Sequence, residues 1–169
     1  MNNLLVSICC ITYNQVKYVN QAIDGFLKQK TNFDFEIIIG DDDSDDGTQE
    51  ICLKYSKKHP NKIKYYSRNR EDVIYINNIP SGRYNKTKTI SQCTGKYIAI
   101  CEGDDYWTDP YKLQKQVDFL EKNPEYIMIG SKVNVLKENE IKESDQPNES
   151  REIFVEDLFQ YNPFASLTI

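Results

Sequence analysis

Apolar runs of strand length alternate with helical patterns along most of the chain, and this alternation constrains its fold more than any other feature. Residues 4–11 form an apolar run broken only by Ser7, which is typical of a strand buried on both faces of a sheet. Shorter strand-like runs cover residues 35–39, 63–66 and 97–101. Because strands that alternate with helices form right-handed β-α-β units, we predict an α/β fold with a mostly parallel central sheet and helices on both faces.

Helices are predicted between these strands by apolar residues at helical spacing and by residues that typically begin or end a helix. They cover residues 16–30, a segment from the turn at 45–47 to residue 58, residues 84–93, and a segment from Asp109 and Pro110 to residue 123. Asn14 is expected to cap the first helix. The other segments are predicted to be a loop over 67–82, a strand over 126–135, a polar solvent-facing segment over 137–151 and a short helix over 155–160. Residues 164–169 resemble the start of a new strand, so we expect a single domain, residues 1–169, that is truncated on its C-terminal side.

The composition argues against several classes of protein. The formal net charge is −5 and the sequence has no basic stripe, so a nucleic-acid partner is not expected. Five cysteines without C-x-x-C spacing and a single histidine argue against a structural zinc site. Cys9, Cys10 and Cys101 lie in apolar runs, where we expect them to be buried and reduced, in a reducing compartment. The N-terminus lacks the pattern of a signal peptide, and no run approaches the ~20 apolar residues of a membrane helix.

Polar side chains follow three of the predicted strands, at the point where each strand ends. These clusters are residues 12–14, 41–46 and 102–105, and the second holds five acids in six positions. Ligands of open α/β sheets bind outside the carboxyl ends of the strands, so we expect the three clusters to meet at one edge of the sheet. The sequence therefore predicts a functional site at that edge.

The acidic residues of these clusters predict a divalent cation and a phosphorylated ligand. Carboxylates that lie close together repel one another, and a bound cation removes the repulsion. Oxygen ligands suit Mg²⁺ or Mn²⁺, and Mg²⁺ in proteins commonly bridges to substrate phosphates. A nucleotide also needs an aromatic face, which Tyr13 offers, and an acceptor for a base N–H, which an aspartate at a strand end offers.

Other phosphate-binding and metal-binding motifs do not account for these clusters. No G-x-G-x-x-G follows the first strand, which disfavours a dinucleotide site, and the sequence has no G-x-x-x-x-G-K-[ST] motif of a P-loop. An EF-hand loop that starts at Asp42 places Gly47 correctly at position six, but it places Leu53 instead of glutamate at position twelve.

Three motifs, in the correct order, resemble family 2 glycosyltransferases. VSICCITYNQVKYVNQAIDGFLKQ and FEIIIGDDDSDDGT resemble the opening of these enzymes. GKYIAICEGDDYWTDPYKLQKQVDFLEKNPEY resembles their acidic DxD-type segment and the helix that follows it. The similarity covers residues 4–135 and implies a Rossmann-like GT-A fold, with this chain as the nucleotide-sugar-binding part of such an enzyme.

The resemblance also implies roles for individual residues. The residues that match nucleotide contacts of the family are Thr12, Tyr13, Asn14, Asp41, Asp43, Arg83 and Asp104. Among them, Asp41 matches the acid that bonds the base, usually uracil, and Asp43 lies in the same loop near the ribose. The residues that match metal contacts are Asp105, Asp104 and Glu102. Glutamate replaces the usual first acid of DxD and has a longer reach, so its contact with the metal is either direct or through water.

The implied activity is metal-dependent transfer of a sugar, with inversion, from a nucleoside-diphosphate donor to a hydroxyl acceptor. The resemblance implies a UDP-sugar as donor, Mg²⁺ or Mn²⁺ as cofactor, and a saccharide or lipid-linked acceptor, as in polysaccharide biosynthesis. The catalytic base of these enzymes comes from a later segment, and we assign no residue of this sequence to it. We expect a cytoplasmic protein, and the family implies peripheral association with the inner face of the membrane.

Several alternatives stay open at this point. A sugar-phosphate nucleotidyltransferase also uses a nucleotide and Mg²⁺, but it usually has a glycine-rich basic loop after the first strand, which ITYNQVKY lacks. A non-catalytic nucleotide-binding module would share the site without the base. A phosphoacceptor receiver domain would have its acid pair after the first strand, where this chain has Thr-Tyr-Asn. Tyr13 and Trp107 are also compatible with packing roles, Arg83 with a surface position and the acidic stretches with solvated turns.

Overall fold

The computed structural model describes residues 4–137, 140–143 and 153. Its strands, in chain order, are β1 (Leu4–Thr12), β2 (Asp34–Asp41), β3 (Ile63–Ser67), β4 (Ile74–Ile76), β5 (Ile79–Ser81), β6 (Tyr97–Ile100), β7 (Asn134–Lys137) and β8 (Glu140–Glu143). Its helices are α1 (Val19–Leu27), α2 (Thr48–Lys58), α3 (Arg83–Ile90) and α4 (Lys112–Lys122), and a 3₁₀ turn covers Arg70–Asp72. The helix predicted over 155–160 and the strand start predicted at 164–169 lie outside the described residues.

A four-stranded parallel sheet forms the centre of the molecule, in the order β3-β2-β1-β6. β1 pairs in parallel with β2 on one side and with β6 on the other, and β2 pairs in parallel with β3. Parallel neighbours need crossover connections, and α1, α2 and α3 lie in the connections between these strands. The predicted α/β fold, with a parallel central sheet flanked by helices, is confirmed.

The alternation of side chains along β1 divides the helices between the two faces of the sheet. Val6, Ile8 and Cys10 belong to a buried apolar cluster that includes side chains of α1, α2 and α4. Ser7 and Cys9 point to the opposite face, where α3 contacts β1 and β2. Each fully buried aliphatic side chain contributes roughly 1.5–3 kcal/mol, and this burial on both faces explains the apolar run of the first strand.

A buried polar network closes the amino-terminal end of the sheet. Ser7 Oγ donates a 2.7 Å hydrogen bond to Glu36 Oε1. The amides of Thr94 and Gly95 donate to Ser7 Oγ at 3.0 and 2.8 Å, so the segment before β6 is tied to β1 and β2. The single hydroxyl in the apolar run of residues 4–11 therefore has a structural role.

The cysteines are packing residues, as predicted. All five are free thiols, and Cys9, Cys10, Cys52 and Cys101 are buried. Burial raises the pKa of Cys52 to about 12, which keeps this thiol protonated at neutral pH. Membrane-spanning helices need about 20 apolar residues, and the part of the chain that the structure describes contains none.

Neither Asn14 nor Asp109, the residues expected to begin the first and the last predicted helix of the core, is the N-cap of its helix. α1 begins at Val19 with Tyr18 as its N-cap, so Asn14 does not cap it. α4 begins at Lys112, and Asp109 accepts a 2.9 Å hydrogen bond from the Tyr111 amide in the preceding turn. Asp109 therefore stabilises the turn that leads into α4.

The predicted loop over 67–82 contains an antiparallel hairpin formed by β4 and β5. Its turn residues, Asn77 and Asn78, have φ angles of 51° and 63°. Asparagine tolerates this left-handed conformation better than most residues, and two-residue hairpin turns require it. The Asn-Asn pair is therefore the sequence signal for this hairpin.

The strand predicted over 126–135 is wrong except for residues 134–135, which begin β7. After α4, Tyr126 and Ile129 pack against the core, Ile127 is 81% exposed, and only an isolated bridge at Gly130 precedes β7. β7 pairs with β8 as a separate antiparallel hairpin, so the polar segment predicted over 137–151 includes a strand. Before β7, the apolar run therefore contributes two packing residues, Tyr126 and Ile129, to the core.

Candidate functional site

The carboxyl ends of β1 and β2 lie side by side and carry the first two polar clusters. Thr12 and Asp41 are register partners there, and the Asp42 amide donates a 3.0 Å hydrogen bond to the Thr12 carbonyl oxygen. On the other side of β1, the Gly103 amide donates to the Ile11 carbonyl oxygen at 2.9 Å. The three clusters, which are distant in sequence, therefore meet at one edge of the sheet, as predicted.

An open cleft of about 130 Å³ lies at this edge. Its lining residues are Ile11, Thr12, Tyr13, Gln15, Asp42, Gly82, Asn85 and Glu102. Three of the predicted site residues, Thr12, Tyr13 and Glu102, are among them. The cleft is thus formed where the ends of β1, β2 and β6 meet the start of α3, the usual position of ligand sites in open α/β sheets.

Asp41 is fully buried and organises the loop that follows β2. Its Oδ1 accepts a 2.9 Å hydrogen bond from the Ser44 amide, and its Oδ2 accepts 2.7 Å bonds from the hydroxyls of Thr12 and Ser44. Hydrogen bonds of this kind stabilise a buried carboxylate and fix the direction of the chain after the strand. Both oxygens of Asp41 are thus engaged by protein groups.

Asp42 is the carboxylate of the acidic loop that faces the cleft, and the sequence did not single it out. Only 4% of the residue is exposed, and its Oδ2 lies 3.2 Å from Nη1 of Arg70. Its Oδ1 has no hydrogen-bond partner among the residues that the structure describes. A buried oxygen without a donor costs about 1–3 kcal/mol, so it marks a position that a donor group of a ligand would satisfy.

Arg70 links Asp42 to Tyr13 beside the cleft. In addition to its contact with Asp42, its guanidinium carbon lies 3.9 Å from the centre of the Tyr13 ring. Tyr13 is 45% exposed, so part of its ring is accessible to a ligand. The sequence did not identify Arg70, because no local pattern places the 3₁₀ turn that contains it next to β1.

Asn14 joins the turn after β1 to the acidic loop after β2. Its backbone amide donates a 2.9 Å hydrogen bond to Ser44 Oγ, and its side-chain Oδ1 accepts a 3.0 Å bond from the backbone amide of Asp45. Asn14 and Asp43 have φ angles of 51° and 63°, a conformation that Asn and Asp adopt more readily than most other residues. Asp43 is exposed. Both residues therefore shape the backbone of the two loops.

The loop after β6 brings Glu102 and Asp105, both partly buried, and the exposed Asp104 to the site. Burial and repulsion from Asp104 raise the pKa of Glu102, and the charge of Lys86 opposes part of this rise. Burial and Asp104 also raise the pKa of Asp105. This loop therefore concentrates negative charge where water is partly excluded.

The chemistry of these three acids fits a hard divalent cation. Carboxylate oxygens are ligands that suit Mg²⁺ and Mn²⁺, and a cation would relieve the repulsion that raises the pKa of Glu102 and of Asp105. Within residues 4–137, 140–143 and 153, no three acidic, histidine or cysteine side chains are grouped as a complete metal site. A cation would therefore be held by one or two of these carboxylates together with oxygens of a ligand.

Arg83 and Trp107 lie at the borders of the site. Arg83 is exposed at the first position of α3, next to Gly82 of the cleft lining, and its amide donates a 3.3 Å hydrogen bond to Ser81 Oγ. Trp107 is 7% exposed and packs edge-on against Phe26, with ring centres 5.0 Å apart. Trp107 is therefore a core residue, which agrees with the packing role that the sequence left open.

Comparison with known proteins assigns the family of this chain. The family model described as "Glycosyl transferase family 2" matches residues 7–166. The chain belongs to glycosyl transferase family 2. An uncharacterized protein of Mycobacterium tuberculosis (strain ATCC 25618 / H37Rv) is 38% identical over 159 residues, which are 93% of this chain and 44% of that protein. An uncharacterized glycosyltransferase of Methanocaldococcus jannaschii is 32% identical over 142 residues, which are 82% of this chain and 45% of that protein.

This family 2 chain spans less than half the length of these curated relatives. Solved structures place it in the GT-A fold. It is similar to S. aureus TarS 1-349 in complex with UDP-GlcNAc, with a TM-score of 0.54 and 22% identity over 72% of this chain and 32% of that one. It is also similar to mannosyltransferase PcManGT from Pyrobaculum calidifontis in complex with GDP-Man and Mn²⁺, with a TM-score of 0.61 and 18% identity over 74% of this chain and 34% of that one. These likenesses establish the fold, and the predicted GT-A class is confirmed.

Proposed function

We propose that this family 2 chain binds a nucleoside-diphosphate sugar, with a UDP-sugar as the first candidate, and presents it for transfer to a hydroxyl acceptor. The observation that carries the proposal is the cleft in which Asp42 offers a buried oxygen that no described residue donates to, beside the exposed ring of Tyr13. Membership of the family supports the same activity. Transfer itself is proposed for the whole protein, because the chain spans less than half of its curated relatives.

Asp42, instead of Asp41, is the proposed acceptor for an N–H of the base. The two oxygens of Asp41 accept hydrogen bonds from Ser44 and Thr12, whereas Oδ1 of Asp42, a residue of the cleft lining, is buried and accepts none from the described residues. An ionised carboxylate can only accept hydrogen bonds, so its ligand partner must be a donor, and the N3–H of uracil is such a group. Tyr13 adds an aromatic face against which a base can stack.

The diphosphate is proposed to lie near the loop after β6, with Mg²⁺ or Mn²⁺. Asp105 and Asp104 would hold the cation, Asp104 would also contact the ribose, and Glu102 would reach the cation through a water molecule. The cation would supply Lewis-acid stabilisation of the leaving diphosphate. Arg83 stays a proposed contact of the nucleotide, and Asp43 stays a proposed contact near the ribose.

The acceptor is proposed to be a hydroxyl group of a saccharide or of a lipid-linked saccharide. A general base, not assigned to any residue of this chain, would deprotonate the hydroxyl for a single displacement with inversion. Among proteins of this fold, TarS has been solved with UDP and UDP-GlcNAc and PcManGT with GDP-Man and Mn²⁺, which supports a nucleotide sugar as donor. A cytoplasmic location with peripheral attachment to the inner face of the membrane belongs to the same proposal.

Isothermal titration calorimetry with UDP, GDP and CDP, each with and without Mn²⁺, tests the proposal. We expect UDP to bind more tightly with Mn²⁺, and we expect Tyr13→Ala and Asp42→Asn each to weaken binding by about tenfold or more, or ~1.4 kcal/mol. Asp118→Asn, which makes the same change on the exposed surface of α4, is the matched control. Absence of nucleotide binding would overturn the proposal, and release of pyrophosphate from UTP and a sugar 1-phosphate would favour a nucleotidyltransferase.

A further inference from the structure

Arg70 contacts the two residues that we propose to meet the nucleobase, and it contacts them from outside the cleft. Its Nη1 lies 3.2 Å from Asp42 Oδ2, and its guanidinium carbon lies 3.9 Å from the centre of the Tyr13 ring. Tyr13 and Asp42 belong to the cleft lining, whereas Arg70 does not. Arg70 is therefore placed to act on a ligand through these two side chains.

The surroundings of Asp42 make a cation at this position important. Within its own loop, Asp42 lies between the acids Asp41 and Asp43, and Glu102 is a further acid of the cleft lining. Burial raises the pKa of Asp42, the charge of Arg70 opposes this rise, and Asp41 and Asp43 add to it. Lys86 is the cation that acts on Glu102. The 3₁₀ turn thus supplies the positive charge that directly contacts Asp42.

We propose that Arg70 is a positioning residue of the nucleotide site, which holds Asp42 as an ionised acceptor and holds the Tyr13 ring in place for stacking. This inference rests on the function proposed above, in which Asp42 and Tyr13 meet the base. It assigns two separable effects to one side chain. Keeping Asp42 ionised needs only the positive charge. Holding the Tyr13 ring needs the planar guanidinium, which stacks on aromatic rings as an ammonium cannot.

Two variants separate these effects. Arg70→Gln removes the charge, and Arg70→Lys keeps the charge but loses the planar group. We expect Arg70→Gln to weaken UDP binding by about tenfold at neutral pH, the size of a ~1.4 kcal/mol loss. We also expect binding to be lost at a higher pH than in the wild type as the solution is acidified, because Asp42 then protonates more easily. Arg70→Lys is expected to weaken binding less and to keep the pH profile of the wild type.

The test is calorimetry of UDP with Mn²⁺ across the range from pH 8 to pH 5, with wild type and variants measured side by side. Titration of the UDP phosphates affects all proteins equally and cancels in the ratio of their affinities. Lys57→Gln, which removes one positive charge from the exposed last turn of α2, is the matched control. Circular dichroism checks that each variant is folded.

A double-mutant comparison shows whether Arg70 acts through Asp42. In an Asp42→Asn background, Arg70→Gln is expected to leave the pH profile unchanged. An equal loss of affinity at every pH, with or without Asp42, would overturn the assignment, and so would wild-type affinity and pH dependence in Arg70→Gln.

A ligand-free measurement keeps this inference distinct from the proposed function. The titration midpoint of the Asp42 carboxyl group, followed by carbon-13 NMR, is expected to rise in Arg70→Gln and to stay close to the wild-type value in Arg70→Lys. An unchanged midpoint in Arg70→Gln overturns the inference even if UDP binds, whereas a wild-type protein that binds no nucleotide overturns the proposed function and, with it, the role of Arg70 at a nucleotide site.

Discussion

Thr12 donates a 2.7 Å hydrogen bond to Asp41, and the pair joins the ends of β1 and β2 next to the cleft. Thr12→Val would leave Asp41 Oδ2 with the Ser44 hydroxyl as its remaining donor in a fully buried position. We expect the free energy of unfolding to fall by about 1–3 kcal/mol, as for other buried hydrogen bonds to charged groups. Urea denaturation measures the change, and Thr12→Ser, which keeps the hydroxyl, is the control. A change below about 0.5 kcal/mol would contradict the role given to this bond.

Substitution of Asp41 is expected to lower the stability of the fold, whereas substitution of Asp42 is expected to lower the affinity for the ligand. Asp41→Asn replaces one acceptor oxygen by a donor that faces other donors, so we expect a loss of about 2 kcal/mol in the free energy of unfolding. Asp42→Asn is expected to keep the fold and to lower UDP affinity by about tenfold or more. Denaturation and calorimetry on both variants check the pair. A stable Asp41→Asn variant that does not bind UDP would instead support Asp41 as the base contact.

Gly40 is expected to tolerate no side chain, because α3 packs directly against it. An added Cβ would collide with Thr89 Oγ1 and would lie 2.5 Å from Asn85 Oδ1. Asn85 also donates a 2.8 Å hydrogen bond to the Gly40 carbonyl oxygen, so it cannot move away freely. Gly40→Ala is expected to lower the free energy of unfolding by about 1–3 kcal/mol in urea denaturation. Gly82→Ala, whose Cβ would meet only Ile11 at 3.8 Å, should be close to neutral.

Acid sensitivity is expected from Glu36, at the other end of β2 from the cleft. Burial raises the pKa of Glu36, but hydrogen bonds from Lys64, Ser7 and Thr94 outweigh it and hold the pKa at about 2. Because this value lies below the ordinary value of 4.5, the stabilisation is complete above pH 4.5 and is lost as the pH falls towards 2.

The contribution of Glu36 is expected to be on the order of 2 kcal/mol. Measured through this acidic range, the free energy of unfolding should therefore fall more steeply in the wild type than in Glu36→Gln. Parallel curves for the two proteins would show that Glu36 is not the group responsible.

Removal of divalent cations is expected to weaken UDP binding and to leave the fold intact. Glu102 and Asp105 belong to a loop outside the sheet, so the core does not depend on their charge. Calorimetry with Mn²⁺ and with EDTA should differ by about tenfold or more for the wild type, and Asp105→Asn should abolish the difference. Equal affinities for the wild type under both conditions would contradict a metal-bridged diphosphate.

The central fold could be predicted from the sequence because local periodicity determines its elements. The apolar run of residues 4–11 and the helical spacing around Ile23 and Phe26 each specify one element without reference to the rest of the chain. The run over 126–135 could not be assigned in the same way. An apolar segment becomes a strand only when a neighbouring strand pairs with it, and that depends on residues far away in sequence.

The position of the site could also be predicted, but not which aspartate faces the cleft. Parallel strands bring their carboxyl ends to one edge, and this rule alone placed Thr12, the acidic loop and Glu102 together. Asp41 and Asp42 are adjacent and chemically identical, and both are buried. Only the hydrogen bonds from Thr12 and Ser44 show that Asp41 is engaged by the protein, while Asp42 lines the cleft. Arg70 was missed because its role depends on a contact across the fold.

β1 and β2 are bridged by a polar side-chain bond at each end, Ser7 to Glu36 and Thr12 to Asp41. The two bonds are five residues apart along both strands, or about 17 Å at 3.3–3.4 Å per residue, with apolar residues and one glycine between them. Neither strand carries a charged or hydroxyl side chain between the two bonds. A substitution at the cleft that removes the Thr12–Asp41 bond therefore leaves Glu36 with its own partners, Ser7, Lys64 and Thr94, at the opposite end of the two strands.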